Sequence, residues 1–315
     1  MKKFILILIL LNVILNAQYR IERVINGGAE KFGEKNYELF NVYNQDQIIY
    51  KVERELNYDD PFSEGKLFKD GSLMIVNSFL NKIDFYSNTG SLISHVEEID
   101  NEKFSYEKTI YFAPDMDEAA LLISNEKSGD TRIEIYSKFG NKIKSINAVG
   151  SKGKGIYFDQ TNEIIIYSTI DWNDVNLSKK TYGIDINGNV KFQLENIFDS
   201  ADVNGNLFLG YSNKSLILIN ILTNEVLEDL ELSEKLILSA KLVDNYVLIV
   251  ESPQPIFVEN NWIYSDAEIL KYSLETKEWI NVKKINYSFK SLEFSTKQKE
   301  INLIINNGEK TIKVE

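Results

Sequence analysis

The chain has 315 residues and a formal net charge of −12, with one histidine and no cysteine. The lack of cysteine excludes disulfides, thiolate zinc sites and cysteine nucleophiles, and a single histidine excludes any site within one chain that needs two imidazoles. The 47 Asp and Glu residues outnumber the 35 Lys and Arg residues, so the chain would repel a phosphate backbone and nucleic acid is disfavoured as a partner. Hydrophobic residues make up 43% of the chain, which is enough for a packed core.

Residues 1–17 have the pattern of a secretory signal peptide. Lys2 and Lys3 precede an apolar run that continues to Leu15, and the small residue Ala17 follows shortly after it. The run is shorter than the roughly 20 apolar residues of a transmembrane helix. We therefore expect cleavage after Ala17 and an exported mature protein, periplasmic or secreted, with no stable membrane insertion. An uncleaved N-terminal anchor is the alternative.

The chain from residue 60 to residue 315 repeats one three-part pattern. Each repeat contains an apolar run, a second run that is apolar throughout, and a third run that alternates apolar and polar residues before a turn rich in Gly and Asn. The alternation is clear where Ile133 and Ile135 flank Glu134. Such β-branched and aromatic runs between turns predict strands, and the lack of 3.6-residue periodicity predicts almost no helix.

The spacing of the repeats predicts a β-propeller. The first strands of successive repeats begin near residues 66, 109, 155, 198, 237 and 291. The period is therefore about 40 to 50 residues, the length that a four-stranded propeller blade needs. We predict an all-β propeller with six blades in residues 60–315.

The two ends of the chain are predicted to complete the ring. The last repeat has three strands, and residues 18–59 contain strand-like runs at 19–24, 37–43 and 47–53 that belong to no complete repeat. An unpaired strand edge favours aggregation, so we expect the N-terminal region to pair with the last blade. Seven blades is the alternative, if these N-terminal runs form most of another blade.

Three segments resemble repeats of known propeller families. Residues 70–78 with 81–90 resemble an NHL-type repeat, and residues 112–117 with 121–124 resemble a blade of TolB-like propellers. Residues 272–279 look like a kelch strand, but the kelch glycine pair is missing. The resemblance implies a β-propeller repeat protein and implies no particular function, because such propellers include both enzymes and binding scaffolds.

The sequence offers two weak candidates for chemistry. His95 is expected on an outer strand as a solvated surface residue, and a general base paired with Glu97 or Glu98 is the alternative. The segments 185–189 and 202–206 carry oxygen ligands at alternate positions, as calcium loops do. Neither has glycine at the sixth position, and Asn-Gly is a strong hairpin signal, so we predict hairpin turns, no catalytic residue and no metal site.

Two enlarged loops are the predicted binding face. They join the second and third strands of their repeats at residues 169–179 and 252–266, and equivalent loops emerge on one face of a propeller. Aromatic side chains on long loops of a rigid scaffold are a recurrent binding device. The alternative is that these aromatics fold back and pack over blade edges. A third tryptophan, Trp279, is expected in a core strand. The predicted binding residues are Asp171, Trp172, Asp174, Phe257, Trp262, Tyr264 and Asp266.

These observations favour an exported, non-catalytic β-propeller that acts as a binding or scaffold protein for a protein or glycan ligand. No cofactor motif is present. A propeller enzyme that uses carboxylates or calcium, such as a hydrolase, lactonase or lyase, is the first alternative. A structural subunit of an envelope or secreted complex is the second.

Overall fold

A computed structural model describes the chain in thirteen ranges. They are residues 19–26, 36–45, 47–56, 63–78, 81–97, 108–125, 129–171, 178–231, 235–243, 245–258, 261–295, 300–305 and 308–313. The regular elements within these ranges are all β-strands, as the sequence predicts. The signal-peptide segment 1–17 lies outside the described residues. The described part contains no helix with the length and hydrophobicity needed to cross a bilayer.

The described strands form seven sheets of three or four strands, and an eighth sheet is a two-stranded hairpin. The first sheet contains β1 (Tyr19–Asn26), β2 (Asn36–Asn44) and β3 (Gln47–Leu56). The next contains β4 (Ser63–Leu67), β5 (Leu73–Asn77), β6 (Lys82–Tyr86) and β7 (Leu92–Glu97). It is followed by β8 (Lys108–Pro114), β9 (Glu118–Asn125), β10 (Asp130–Ser137) and β11 (Lys142–Asn147).

The sheets in the remainder of the chain repeat the four-stranded order. One contains β12 (Lys152–Asp159), β13 (Ile164–Asp171), β14 (Ser178–Asp185) and β15 (Val190–Leu194), and the next contains β16 (Ser200–Asn204), β17 (Leu207–Tyr211), β18 (Ser215–Asn220) and β19 (Glu225–Glu231). Another contains β20 (Leu236–Val243), β21 (Tyr246–Ser252), β24 (Ala267–Ser273) and β25 (Trp279–Ile285), with the hairpin of β22 (Ile256–Val258) and β23 (Asn261–Ile263) inserted between its second and third strands. The last contains β26 (Ser291–Ser295), β27 (Glu300–Ile305) and β28 (Gly308–Lys313).

The expected pairing of the N-terminal strands is corrected by this strand order. Strands β1 to β3 form a sheet of their own and β26 to β28 form another, so among the described residues the N-terminal region does not complete the last blade. The reason is local: β2 and β3 join through a tight turn in which Gln45 has φ 57°, and a short loop costs little closure entropy. The alternative of seven blades required the N-terminal strands to form most of another blade, and β1 to β3 do form a separate three-stranded sheet.

The chain divides into two compact units. Unit 1 holds the described residues up to position 97 together with 114–119 and 136–143, and unit 2 holds 108–113, 120–135 and the described residues from 144 onward. In both units the second strand of a sheet is apolar and buried on both faces, as β5 and β13 show. The prediction made for the second strand of each repeat is thus confirmed for these two sheets.

Apolar side chains fill the space between successive sheets within each unit. In unit 1, Phe40, Val42 and Val52 of the first sheet pack against Leu73 and Ile75 of the second. Four such clusters lie among the described residues of unit 2, and each joins residues of two sheets that follow one another in the chain. A sheet packed in this way is covered on its faces by its sequence neighbours, which is how repeat sheets obtain a core that none of them could form alone.

One core prediction is wrong. Trp279 lies in a strand, β25, but 36% of it is exposed. The strand is the outermost of its sheet, so no further strand of that sheet covers it. The indole packs instead on Tyr272 of the neighbouring strand, with ring centroids 4.8 Å apart.

Buried polar groups connect the first two sheets of unit 1. Glu38 of β2 is fully buried and pairs with Arg23 at 2.8 Å and with Arg54 at 2.8 Å. Arg54 also donates to Ser63 Oγ at 2.8 Å and lies 3.3 Å from the Asp84 carboxylate of β6. We call these five residues the charged network.

Hydroxyl groups connect sheets in unit 2. Phe198 N–H, next to β16, donates to Ser168 Oγ at 3.0 Å, and Ser168 lies 2.6 Å from Thr181 Oγ1. Thr181 then donates to the carbonyl of Asn196 at 2.7 Å. We call these four residues the hydroxyl network.

A second sheet pair in unit 2 uses the same device. Ser124 Oγ of β9 accepts a hydrogen bond from Gly153 N–H of β12 at 2.8 Å and another from Thr131 at 3.2 Å. Neighbouring sheets therefore share hydrogen bonds as well as apolar contacts.

Candidate functional site

The predicted binding residues fall at the loop position between the second and third strands of two sheets in unit 2. Asp171 ends β13 and is described, whereas Trp172 and Asp174 lie outside the described residues. The other four, Phe257, Trp262, Tyr264 and Asp266, lie between β21 and β24 and are all described.

The segment between β21 and β24 contains a regular hairpin. Strands β22 and β23 pair antiparallel, with Ile256 opposite Ile263, Phe257 opposite Trp262 and Val258 opposite Asn261. The described part of the enlargement is therefore a regular antiparallel pair of strands. The sequence predicted an insertion at this place but not its strands.

The hairpin exposes apolar side chains to solvent. Phe257 and Trp262 contact each other with ring centroids 4.8 Å apart and an interplanar angle of 54°, yet they remain 58% and 55% exposed. Ile256 is 63% exposed and Val258 is also exposed. Phe257 and Trp262 are paired and share one face of the hairpin, whereas Ile256 and Val258, one residue away along β22, lie on its other face. Single exposed apolar residues are ordinary on protein surfaces, but here two aromatic rings in contact are exposed together. We call Phe257 and Trp262 the hairpin patch.

Tyr264 anchors the base of the hairpin. Its ring stacks on the buried Phe289 at a centroid distance of 5.7 Å, and the two residues exchange backbone hydrogen bonds of 2.9 and 3.0 Å. Tyr264 therefore packs against the rest of the protein, as the alternative of aromatics folded back over a blade edge expects. Phe257 and Trp262 stay exposed and do not follow that alternative. Asp266, the last of the predicted residues in this segment, is exposed and has φ 52°, a conformation that Asp tolerates better than most residues.

Asp171 lines a cavity of about 540 Å³ together with residues 129–132, 147–148 and 150–151. The sequence placed Asp171 at a binding face but gave no sign of the other walls. They come from the neighbouring sheet of the chain, and only the packing of two sheets brings them together.

The candidate calcium segments are hairpin turns. The carboxylate of Asp185 accepts hydrogen bonds from the backbone N–H groups of Asn187 at 2.8 Å and Asn189 at 2.9 Å, and from the Asn189 amide at 2.8 Å. These bonds, chiefly those from Asn189, hold the pKa of Asp185 well below its usual range. Asp202 accepts from Leu242 N–H at 2.8 Å and from Lys241 at 3.2 Å. Both carboxylates are thus occupied by the protein itself.

His95 lies on β7, the outer strand of its sheet, as predicted. Its Nδ1 contacts the buried carboxylate of Asp84, and its Nε2 lies 3.1 Å from Glu97. The histidine therefore extends the charged network to the surface, a role that the sequence did not indicate. Among the described residues, no group of three or more His, Cys, Asp or Glu side chains is placed to hold a metal ion.

No protein-family model matches the chain, and no curated protein matches it in sequence. Solved structures do match. A chain of a mitotic checkpoint complex is 12% identical over 95% of this chain and 88% of its own length, with a TM-score of 0.57. The Dos1 propeller is 12% identical over 88% of this chain and 74% of its own length, with a TM-score of 0.56.

BamB from Moraxella catarrhalis is 11% identical over 91% of this chain and 84% of its own length, with a TM-score of 0.52. At these identities the likeness concerns the fold alone. The chain is a β-propeller repeat protein, and its resemblance to NHL-type and TolB-like repeats is distant. The propeller fold is in general compatible with a binding or scaffold role.

Proposed function

We propose that this protein is an exported binding or scaffold protein that holds a protein ligand on the hairpin patch. The observation that carries the proposal is the exposure of Phe257 and Trp262 on an ordered hairpin. Aromatic residues, tryptophan above all, contribute most of the binding energy at protein interfaces, and they do so from positions fixed before binding.

The anchoring of the hairpin supports this proposal. Tyr264 fixes one end of the projection on Phe289, and Ser252 Oγ donates to the carbonyl of Ser265 at 3.1 Å. A hairpin held at this end presents the side chains of its strands with little loss of conformational entropy on binding. The alternative of aromatics packed over a sheet edge would leave Phe257 and Trp262 buried, as Tyr264 partly is.

The ligand that suits this surface is a protein with an apolar pocket and a basic rim. The two adjacent aromatic rings on one face of the hairpin match an apolar pocket in chemistry. The net charge of −12 favours a basic partner, because opposite net charges accelerate encounter and like charges slow it.

A photo-crosslinking amino acid at position 257 tests the proposal. The matched control is position 92, because Leu92 is 57% exposed and apolar but lies on the outer strand β7. We expect a basic protein to crosslink from position 257 and not from position 92. The purified partner should then bind Trp262→Ala about thirtyfold more weakly than the parent protein, the loss of a hot spot of about 2 kcal/mol. Equal crosslinking from both positions, or unchanged affinity of Trp262→Ala, contradicts it.

Export is a separate part of the proposal and depends on residues 1–17. Mass spectrometry of the protein from the medium or the periplasm should find a chain that begins near Gln18. A chain that keeps Met1 and stays in the membrane fraction would support the uncleaved anchor instead.

A further inference from the structure

The cavity that Asp171 lines is a second site, distinct from the hairpin patch. It lies in unit 2 where β10 begins, β11 ends and β13 ends. Its volume of about 540 Å³ falls within the range of small-molecule sites, about 300 to 1,000 Å³. It can therefore accept a ligand of one or two rings rather than a protein segment.

Hydrogen bonds fix two of the walls relative to each other. Ser151 Oγ lies 3.1 Å from the carbonyl of Ile170 and 3.2 Å from Asp171 Oδ1, so the connection between β11 and β12 is tied to the end of β13. Ala148 N–H donates to the carbonyl of Thr131 at 3.0 Å, which ties the same connection to β10.

A glycine lets this connection approach β13 closely. Gly150 has φ +102°, and a Cβ atom there would lie 2.3 Å from Thr169 Oγ1. Any other residue would be strained in conformation and would clash with the strand. Gly150 thus holds the connection between β11 and β12 close to β13.

The lining side chains offer hydrogen-bond acceptors and donors together. Asp130 and Asp171 provide carboxylates, and Asn147 provides an amide that both donates and accepts. Arg132 provides guanidinium donors, and its Nε is bonded to the buried carboxylate of Glu134 at 2.9 Å. This pair orients the guanidinium and balances its charge.

We propose that this cavity binds a neutral saccharide of one or two rings. Each sugar hydroxyl donates and accepts, so a saccharide can use the carboxylates, the amide and the guanidinium at once. An anionic ligand such as phosphate would meet two carboxylates and one guanidinium among the lining side chains, and Glu134 is already bonded to that guanidinium. A hydrophobic ligand would find little apolar surface, since Ala148 is the hydrophobic residue among the lining side chains.

The test uses the purified protein and a panel of neutral disaccharides: maltose, cellobiose, lactose and diacetylchitobiose. Saturation-transfer NMR detects binding and calorimetry measures the affinity. Arginine and inorganic phosphate serve as cationic and anionic probes. We expect at least one disaccharide to bind, and we expect neither charged probe to compete with it.

Variants locate the binding. Asp171→Asn changes the end of β13 and Asn147→Ala changes the end of β11. Each variant should weaken the binding of the disaccharide by about tenfold or more, because each removes hydrogen bonds to hydroxyls. Asn147 is exposed, so its replacement keeps the fold even if Asp171→Asn does not. Glu225→Gln, on the outer strand β19, is the control and should bind normally. The proposal is overturned if no disaccharide binds, if arginine or phosphate binds in its place, or if both wall variants bind as the parent does.

Discussion

The charged network of unit 1 and the hydroxyl network of unit 2 connect their sheets by different chemistry. In unit 1 the charged network places Glu38, with no exposed surface, between two arginines and reaches Asp84 of the next sheet. In unit 2 the hydroxyl network joins successive sheets through Ser168 and Thr181 without any charge. Both arrangements satisfy polar groups between two apolar layers.

The two networks should differ in how much stability is lost when one partner is removed. A buried carboxylate is stable only while its cations remain, because removing one partner leaves a charge without water or counter-charge. A buried hydroxyl that loses its partner costs only the desolvation of a neutral group. The charged network should therefore be more sensitive than the hydroxyl network to a single polar substitution.

The largest effect is expected for Glu38→Gln. The change keeps the shape of the side chain but removes the buried negative charge that Arg23 and Arg54 both contact, so the free energy of unfolding should fall by about 3 kcal/mol. Urea denaturation measures it, with Glu53→Gln, exposed on β3, as the control. If Glu38→Gln lowers the free energy of unfolding by less than Ser168→Ala, the variant of the hydroxyl network described next, the comparison of the two networks is wrong.

Ser168→Ala should have the next largest effect. The substitution removes the acceptor of Phe198 N–H and the partner of Thr181, and the buried groups left behind should cost about 1 to 2 kcal/mol. The control is Ser145→Ala on the outer strand β11, where the side chain is exposed. If both serine variants unfold at the same urea concentration, the hydroxyl network does not stabilise unit 2.

A smaller and pH-dependent effect is expected for Glu268→Gln in unit 2. Lys235 lies 2.6 Å from Glu268 and Lys284 lies 3.3 Å from it, and their hydrogen bonds lower the pKa of Glu268 below 4.5. A carboxylate with a lowered pKa stabilises the folded state above its unfolded pKa, and this contribution is lost as pH falls through the folded pKa. The variant should thus be less stable than the parent at pH 7 and equal to it in strong acid.

Urea titrations at neutral pH and at a pH well below the folded pKa make this measurement. Glu231→Gln, an exposed change at the end of β19, should show no such pH-dependent difference. If Glu268→Gln is still less stable than the parent at low pH, the loss of stability comes from changed packing and not from the lost charge.

The smallest effect is expected for Glu97→Gln, at the surface end of the charged network. Hydrogen bonds from His95 and Lys82 lower the pKa of Glu97, but the side chain is exposed and water replaces those bonds. The melting temperature should stay unchanged. If Glu97→Gln lowers the melting temperature as much as Glu38→Gln does, burial of the side chain does not decide how much stability is lost when a contact of this network is removed.

The strands were predictable because local sequence decides them. The run at residues 82–86 is β6, and the alternation around Glu134 falls in β10. The turn at Asp185 was also predictable, since Asn-Gly specifies a tight turn by itself. The N-terminal pairing was not, because a strand edge that needs a partner does not say which strand supplies it.

Residues of the candidate site were predictable only where their place in a repeat indicates where they lie in the fold. Equivalent loops share a face, which identified Phe257, Trp262 and Asp171. The charged network and the cavity depend on which residues of separate sheets meet, and Arg54 and Asp84 carry no local signal of their pairing. Tyr264 shows the limit from the other side, since an aromatic in a loop looks the same in sequence whether it faces a ligand or the core.

Each sheet of this protein consists of strands that follow one another in the chain, and even the hairpin of β22 and β23 is nested inside its own sheet. Pairing of the described strands therefore needs no segment that has yet to be synthesised. A sheet can form soon after its last strand emerges, and the next sheet then packs on a surface that already exists. Such vectorial assembly keeps the exposed apolar area small at every stage, an advantage for a chain whose sheets are each unable to bury their own faces.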